Sequence, residues 1–398
     1  MISLEEAREL LFSKLKKMDY EEVSIEDSLG RVLYEDIYSK IDNPPFPRSP
    51  LDGYAVRGED TKGASKENPI ELKIIDKIYA GYASEKELGK GEAIRIMTGA
   101  PIPNGADCVI RQEDTLEDKD SIVKIYKEHN SYDNYCYKGE DFKIGTKLLK
   151  KDVLITSSEI MCIASLGLDK IKVYKRPVVG ILNTGDEIQN PGTKLKYGKI
   201  YNSNGYFLKS RLQELGCESI VYSLICDDDL EIIKAIEELE ENCDIIISTG
   251  GVSVGEKDRV RISAEKAGYE ILFWKIDMKP GSPMFGAHKD GRLYIGLSGT
   301  PVAAATSFEL TCREVIGKML SSDEIALKER EAILMDDFNK VSNKRRFLRV
   351  NINSKNEVHI NNVYQTPGQV HTMINSNAIL EVRPNTSLKK GDKVKVLI

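Results

Sequence analysis

The chain has 398 residues, with 57 basic and 63 acidic side chains, a net charge of -6 and 41% hydrophobic residues. That length exceeds what one core usually supports, so two to four domains are expected, in a soluble cytoplasmic protein with no basic face for nucleic acid and no membrane span. Seven scattered cysteines, none spaced as CxxC, indicate neither a disulfide framework nor a zinc site.

The start, MISLEEARELLFSKLKK, lacks the apolar core of a signal peptide. Leu4, Ala7, Leu10, Leu11 and Leu15 recur at helical spacing and predict an amphipathic helix over 3–17. NPPFPRSPLDGYAV (43–56) places four prolines before an Asp-Gly turn, which predicts an extended, stiffened segment. Residues 70–148 alternate short β-like runs with Gly, Pro and Asp turns, as in a small all-β domain. A helix is expected within SSEIMCIASLG (157–167).

After Pro177 the pattern changes. RPVVGILNTGDE (176–187) reads as a buried strand entering a Gly-containing turn. A helix is expected over 204–216, a strand over 219–225, a helix over 228–243 and an apolar strand over 244–251. A helix near 258–268, a strand over 291–299 and a long helix over 301–320 complete the series. Strands alternating with helices predict a parallel sheet covered on both faces, with its site at the carboxyl ends of the strands. The loops TGDE, STGGVSVG and LSGTP fall at such ends. From about residue 328 short strands return, predicting a small β-barrel or sandwich.

Four groups of residues point to anion chemistry. In STGGVSVGEKD (248–258), Gly250, Gly251 and Gly255 let backbone approach a ligand, while Ser248, Thr249 and Ser253 supply hydroxyls. Asp258 follows at a helix start, where the bland role of an aspartate is a cap. In TGDE, the adjacent Asp186 and Glu187 suit a hard cation that bridges to phosphate; the bland alternative is a polar turn. Lys275 and Lys279 frame an apolar run before a Pro-Gly turn and can hold an oxyanion as point charges. Asp52 in SPLDGYAVR, Thr98 in RIMTGAPIPNGAD and Asp141 in GED are each weak alone. No Ser-His-Asp or Cys-His set stands out, and the four histidines share no motif.

In order and spacing, LDGYAVR, RIMTGAPIPNGAD, GED, TGDEI, STGGVSVGEKD, WKIDMKPG and the strand-loop-helix PV motif resemble the MoeA/gephyrin E-domain family over essentially the whole chain. The resemblance implies a multidomain α/β plus β architecture. A parallel-sheet α/β domain like MoaB and MogA would span 176–325. An elongated domain from 1–45 and 140–175, a small β domain over 46–139 and a C-terminal β-barrel over 326–398 would flank it. It implies a cytoplasmic homodimer with Mg2+ as cofactor. The substrates would be molybdate and adenylylated molybdopterin, with AMP released. Transient partners would be molybdopterin adenylyltransferase and recipient molybdoenzymes.

Carried over by motif, Asp52, Thr98, Asp141, Glu187, Asp228 and Asp258 would be catalytic, with Asp227 and Asp229 as neighbours in an uncertain register. Asp186 and Glu187 would lie at the metal. Thr184, Gly185, Ser248, Thr249, Gly250, Gly251, Ser253, Gly255, Lys275, Lys279, Pro280, Gly281, Ser298 and Pro301 would bind substrate. Three departures stand out: Ser282 replaces the second lysine of KPGKP, LSGTPVAA replaces LPGNPVSA, and TPGQVHTMINSNAI replaces a serine-rich segment. They leave room for a divergent paralogue that inserts tungstate or binds molybdopterin without turnover.

Overall fold

A computed structural model describes residues 1–118, 121–222, 228–252, 259–360 and 365–398. The chain divides into two compact units, Met1–Glu35 with Lys151–Met161 and Asp169–Ile398, and Asp36–Lys150 with Cys162–Leu168. No described helix is long and apolar enough to cross a membrane.

The first unit is built on a six-stranded sheet. Its strands are β1 (Val178–Asn183), β2 (Glu218–Val221), β3 (Ile245–Thr249), β4 (Glu270–Trp274), β5 (Phe285–Lys289) and β6 (Arg292–Leu297), in the order β2-β1-β3-β6-β5-β4. The first four in that order run parallel, as expected from the alternation of strands and helices. The remaining two are antiparallel, so the sheet is mixed rather than wholly parallel. The sequence carries a signal for this pair: Asp290-Gly291 joins β5 to β6 with φ of 48° and 80°. Positive φ at both turn residues is the two-residue hairpin geometry that Asp-Gly favours.

Alternation along β3 shows how the sheet is covered. Ile245 and Ile247 enter one core with Leu208, Leu212, Phe308 and Ile316, while Ile246 enters the opposite core with Ile232, Ile236 and Val260. A strand buried on both faces needs apolar residues without a polar stripe, and DIIIST supplies them. The N-terminal helix, Leu4–Ser13, packs Leu4, Ala7 and Leu11 into the first of these cores. It starts at a capping box in which Ser3 and Glu6 satisfy each other's backbone N–H groups at 2.7 and 3.1 Å. It ends four residues before the expected 17, because the Lys14 N–H turns back to Leu11 at 3.2 Å and Met18 pairs with Met319.

The expected helix over 301–320 is one continuous rod with three segments: Pro301–Ser307, a π-turn at Phe308–Cys312 and Arg313–Met319. The C-terminal strands close into a five-stranded barrel in the order Glu329–Leu334, Glu357–Ile360, Arg346–Ile352, Ala378–Val382, Lys393–Leu397. Leu348, Val350 and Ile352, Val358 and Ile360, and Val394 and Val396 fill it at every second position.

The second unit holds another six-stranded sheet, ordered Cys108–Arg111, Gly53–Val56, Glu92–Ile96, Ile70–Ile78, Ile122–Ile125, Thr115–Asp118. Gly53–Val56 is a central, fully buried strand that precedes the β-like runs read from residue 70 and falls within the expected β domain of 46–139. A side chain at Gly53 would stand 1.9 Å from the Ile110 carbonyl, so only glycine fits the turn into that strand.

Phe308 is fully buried at the middle of the rod. Phe308→Ala is expected to lower stability by about 3–5 kcal/mol in chemical denaturation. A loss below about 1 kcal/mol would show that the rod is not packed into the sheet.

Candidate functional site

The three glycine-bearing loops meet because of strand register. Asn183 pairs with Thr249, and Thr249 with Leu297, so β1, β3 and β6 end in one row. Beyond that row the Thr184 N–H donates to the Thr249 carbonyl and the Gly250 N–H to the Leu297 carbonyl, each at 3.2 Å. Gly250 has φ of 96°, and a Cβ there would fall 2.6 Å from the Thr184 carbonyl oxygen. Any larger residue would push the first two loops apart. Gly251 lies beside it with φ of 61°.

Polar groups concentrate at this edge. Asn183, Thr184, Ser248 and Thr249 are buried at the ends of otherwise apolar strands. The Thr249 hydroxyl donates to Asn183 Oδ1 at 3.0 Å, and Asn204 Nδ2 donates to the Gly299 carbonyl at 2.8 Å. Asn183 Nδ2 and Thr184 Oγ1 are buried and have no partner among the described residues. An unpaired buried donor carries a desolvation penalty of about 1–3 kcal/mol, which a polar ligand at this edge would relieve. In the third loop Ser298 and Thr300 share a hydrogen bond at 3.1 Å, and Pro301 opens the rod at its first turn. Ser253, Gly255 and Asp258 lie outside the described residues.

The acidic turn is held by a short ribbon. Ile188–Gln189 pairs with Ile200–Tyr201, the Ile200 N–H donates to the Glu187 carbonyl at 2.8 Å, and the Lys199 ammonium donates to the Asp186 carbonyl. Asp186 and Glu187 are exposed, with the Glu187 carboxylate folded over Gly185. Among the described residues no three His, Cys, Asp or Glu side chains gather as a metal cage. Two adjacent carboxylates still match Mg2+, which uses one or two protein carboxylates and takes its other oxygens from water and phosphate.

Asp228 caps the helix Asp229–Glu240, accepting from the Leu230 and Glu231 N–H groups at 3.0 and 3.2 Å. Asp229 pairs with Lys266 at 2.6 Å and Arg259 at 3.4 Å, and the Lys266 ammonium holds its carboxyl below the usual range. Asp227 lies outside the described residues.

Lys279 is stitched to the barrel: its N–H donates to the Arg345 carbonyl, and the Phe347 N–H donates to its own carbonyl, both at 2.9 Å. That bridge sets Lys279 opposite Arg346. Lys279, Pro280, Lys340, Arg346, Gln365 and Thr366 line a small cavity of about 40 Å3, which has three cations and no acid among its described lining. Arg346 is 8% exposed, its Nε has no described partner, and burial pushes its guanidinium below the ordinary value. A lining with three cations and no described acid favours an anion in the cavity. Gly281, with φ of 93°, accepts from Ser307 Oγ at 3.4 Å and seats the loop on the rod. Ser282 Oγ turns back to the Ile276 carbonyl at 2.8 Å.

The other two arginines of the strand segment RRFLRV (345–350), Arg345 and Arg349, serve different partners. Arg345 bonds Glu381 at 2.8 Å and Glu5 at 2.6 Å. Arg349 is buried near Glu309, which Arg211 and Arg313 hold at 2.6 and 3.3 Å. Burial works to raise the Glu309 carboxyl, but the Arg211 bond and the other two guanidinium groups leave it below the usual range.

Sequence reasoning did not single out Asn183, Asn204 or Lys340. Asn183 had a signal, a polar residue at the end of an apolar strand. Lys340 lies in a loop and had none.

In the second unit Asp52 Oδ1 accepts from both the Thr98 N–H and the Thr98 hydroxyl, each at 2.7 Å. Asp141 accepts from Asn43 Nδ2 at 2.9 Å. The two Thr98 bonds hold the Asp52 carboxyl below its usual value of 3.8. A depressed carboxyl adds stability above its unfolded pKa and loses it as pH falls through the folded value. Thr98→Val removes one donor, so NMR titration should find the Asp52 pKa raised towards 3.8. An unchanged pKa would mean that the hydroxyl does not bind Asp52 in solution.

The comparisons with known proteins cover the chain almost end to end. Residues 2–167 match the MoeA N-terminal region (domain I and II), 180–318 a probable molybdopterin binding domain, and 331–398 the MoeA C-terminal region (domain IV). A Staphylococcus aureus protein named molybdopterin molybdenumtransferase is 40% identical over 348 residues, which is 87% of this chain and 83% of the relative. One of the same name from Staphylococcus epidermidis is 35% identical over 400 residues, covering 100% and 95%. The crystal structure of a molybdopterin biosynthesis MoeA protein from Pyrococcus horikoshii superposes with a TM-score of 0.87 at 33% identity, covering 100% of this chain and 99% of that one. On these grounds the chain belongs to the MoeA family.

Proposed function

We propose that this chain is a transferase that inserts molybdate into adenylylated molybdopterin and releases AMP. The observation that carries the reading is a pairing in the first unit. An anion-suited row of loops ends the parallel strands, and a cavity with no acid among its described lining holds Lys279, Lys340 and Arg346. Two negatively charged reactants need two such places. The relatives named molybdopterin molybdenumtransferase support the substrate class.

In this reading the first two loops bind the pterin phosphate. Asn183 Nδ2 and the Thr184 hydroxyl supply donors there, and Gly250 and Gly251 bring backbone N–H groups close. Asp186 and Glu187 would hold Mg2+, which neutralises charge on the phosphate oxygens when bound. Lys275 and Lys279 orient the oxyanion. The charge missing at Ser282 comes from Arg346 and Lys340, so the Ser282 departure fits an oxyanion site with its cations redistributed. Phosphoanhydride cleavage depends mainly on positioning and charge neutralisation, so a covalent nucleophile is not needed. The proposal extends to a cytoplasmic homodimer in which Asp52, Thr98 and Asp141 come from a second copy. Asp258 serves as a further carboxylate, and the four domains keep the boundaries expected above.

Incubation with adenylylated molybdopterin, Mg2+ and molybdate should release AMP only when the oxyanion is present. Consumption of ATP with the unadenylylated pterin would point instead to an adenylylating enzyme, and tight binding without turnover to a scaffold. Glu187→Ala and Asp258→Ala are each expected to keep the fold and reduce AMP release at least about 100-fold, the scale of losing a transition-state contact. Undiminished turnover in either variant would remove that residue from the site.

A further inference from the structure

Lys275 adopts a backbone conformation that its residue type seldom takes. Its φ is 68°, in the left-handed region that favours glycine. Hydrogen bonds fix that conformation on both sides: the Lys275 N–H donates to the Met284 carbonyl at 2.8 Å, and the Ile2 N–H donates to the Lys275 carbonyl at 3.2 Å. Such outliers persist only where their surroundings impose them, and they concentrate at functional sites.

The conformation has a geometric effect. Trp274 ends β4, an edge strand, and in an extended strand residues 274 and 275 would face opposite sides. The left-handed turn breaks that alternation and brings the Lys275 ammonium 4.4 Å from the centre of the Trp274 ring. The Arg261 guanidinium lies 4.9 Å from the same ring and is also paired with Glu265 at 2.6 Å. The indole N–H points at the Val252 carbonyl at 3.5 Å. Trp274 is 38% exposed although it is the only tryptophan in the chain. Among the described residues Lys275 has no carboxylate partner, and its ammonium lies against the ring face.

We propose that Trp274 is the positioning residue for Lys275: its ring carries the ammonium in a fixed place, without neutralising it, for an incoming tetrahedral oxyanion. A carboxylate in that place would compete with the oxyanion, whereas an aromatic face attracts the cation and leaves its charge available. This inference rests on the reading of Lys275 as an oxyanion-holding lysine.

The test uses the full chain, with molybdate alone as the probe. Because there is one tryptophan, its fluorescence reports on the ring directly. Molybdate should change the emission of the unsubstituted protein, and Lys275→Met should abolish that change. By calorimetry, Trp274→Leu should weaken molybdate binding about three- to tenfold, the scale of one cation–aromatic contact, and Trp274→Phe should recover part of the loss. In turnover, Trp274→Leu should raise the KM for molybdate by a similar factor and leave kcat within about twofold. If Trp274→Leu does not fold, Trp274→Phe carries the test with a smaller expected loss. Calorimetric affinity equal to the unsubstituted chain in a folded Trp274 variant overturns this inference alone. No molybdate binding by the unsubstituted chain sinks both the functional reading and this inference.

Discussion

Register between three neighbouring parallel strands governs what this molecule can bind. Asn183, Thr249 and Leu297 lie side by side where β1, β3 and β6 stop, and the hydrogen bonds beyond that row close the loops onto one another. A slip of one residue would invert Ile245, Ile246 and Ile247 between the two cores, so the packing that holds the sheet also fixes where the loops begin. The binding edge inherits its precision from the hydrophobic core. Gly250 completes it, because its missing side chain lets the first two loops approach.

Electrostatics then separates two kinds of anion site. At the strand ends the donors are neutral, namely backbone N–H groups, the Asn183 amide and hydroxyls, beside the two exposed carboxylates Asp186 and Glu187. That combination suits a phosphate accompanied by a cation. The cavity at Lys279 is the reverse, with three cations and no acid among its described lining. It suits a compact oxyanion without an escorting metal. The barrel takes part, because Lys279 and Arg346 share a backbone bridge and the barrel therefore supplies one wall.

Much of this was legible in the chain. Apolar runs ending in TGDE, STGG and LSGTP announced the parallel strands and their loops, because burial on both faces leaves a continuous hydrophobic signature. The antiparallel pair β4 and β5 leaves no such signature, since the irregular stretch 275–284 separates its strands. Asp290-Gly291 marks only the hairpin from β5 to β6. The helical spacing runs on to Leu15, but the α-helix stops at Ser13 because the Lys14 and Leu15 N–H groups turn to Leu11 and Phe12, three residues back. The motif lysine Lys279 was visible, but its link to its companions was not. Arg346 stands out in the arginine-bearing strand RRFLRV, but nothing in the sequence ties it to Lys279, and Lys340 carries no signal; both are about sixty residues away, and only the barrel's closure brings them to it.

The central claim is that this chain holds an oxyanion in the Lys279 cavity beside the glycine-lined strand ends. Crystals soaked in tungstate test it directly, because tungsten scatters anomalously and marks its own position. The account predicts an anomalous peak within hydrogen-bonding reach of Lys279 and Arg346, lost in Arg346→Met crystals. A fully occupied peak elsewhere with that cavity empty, or no peak at millimolar tungstate, would contradict it.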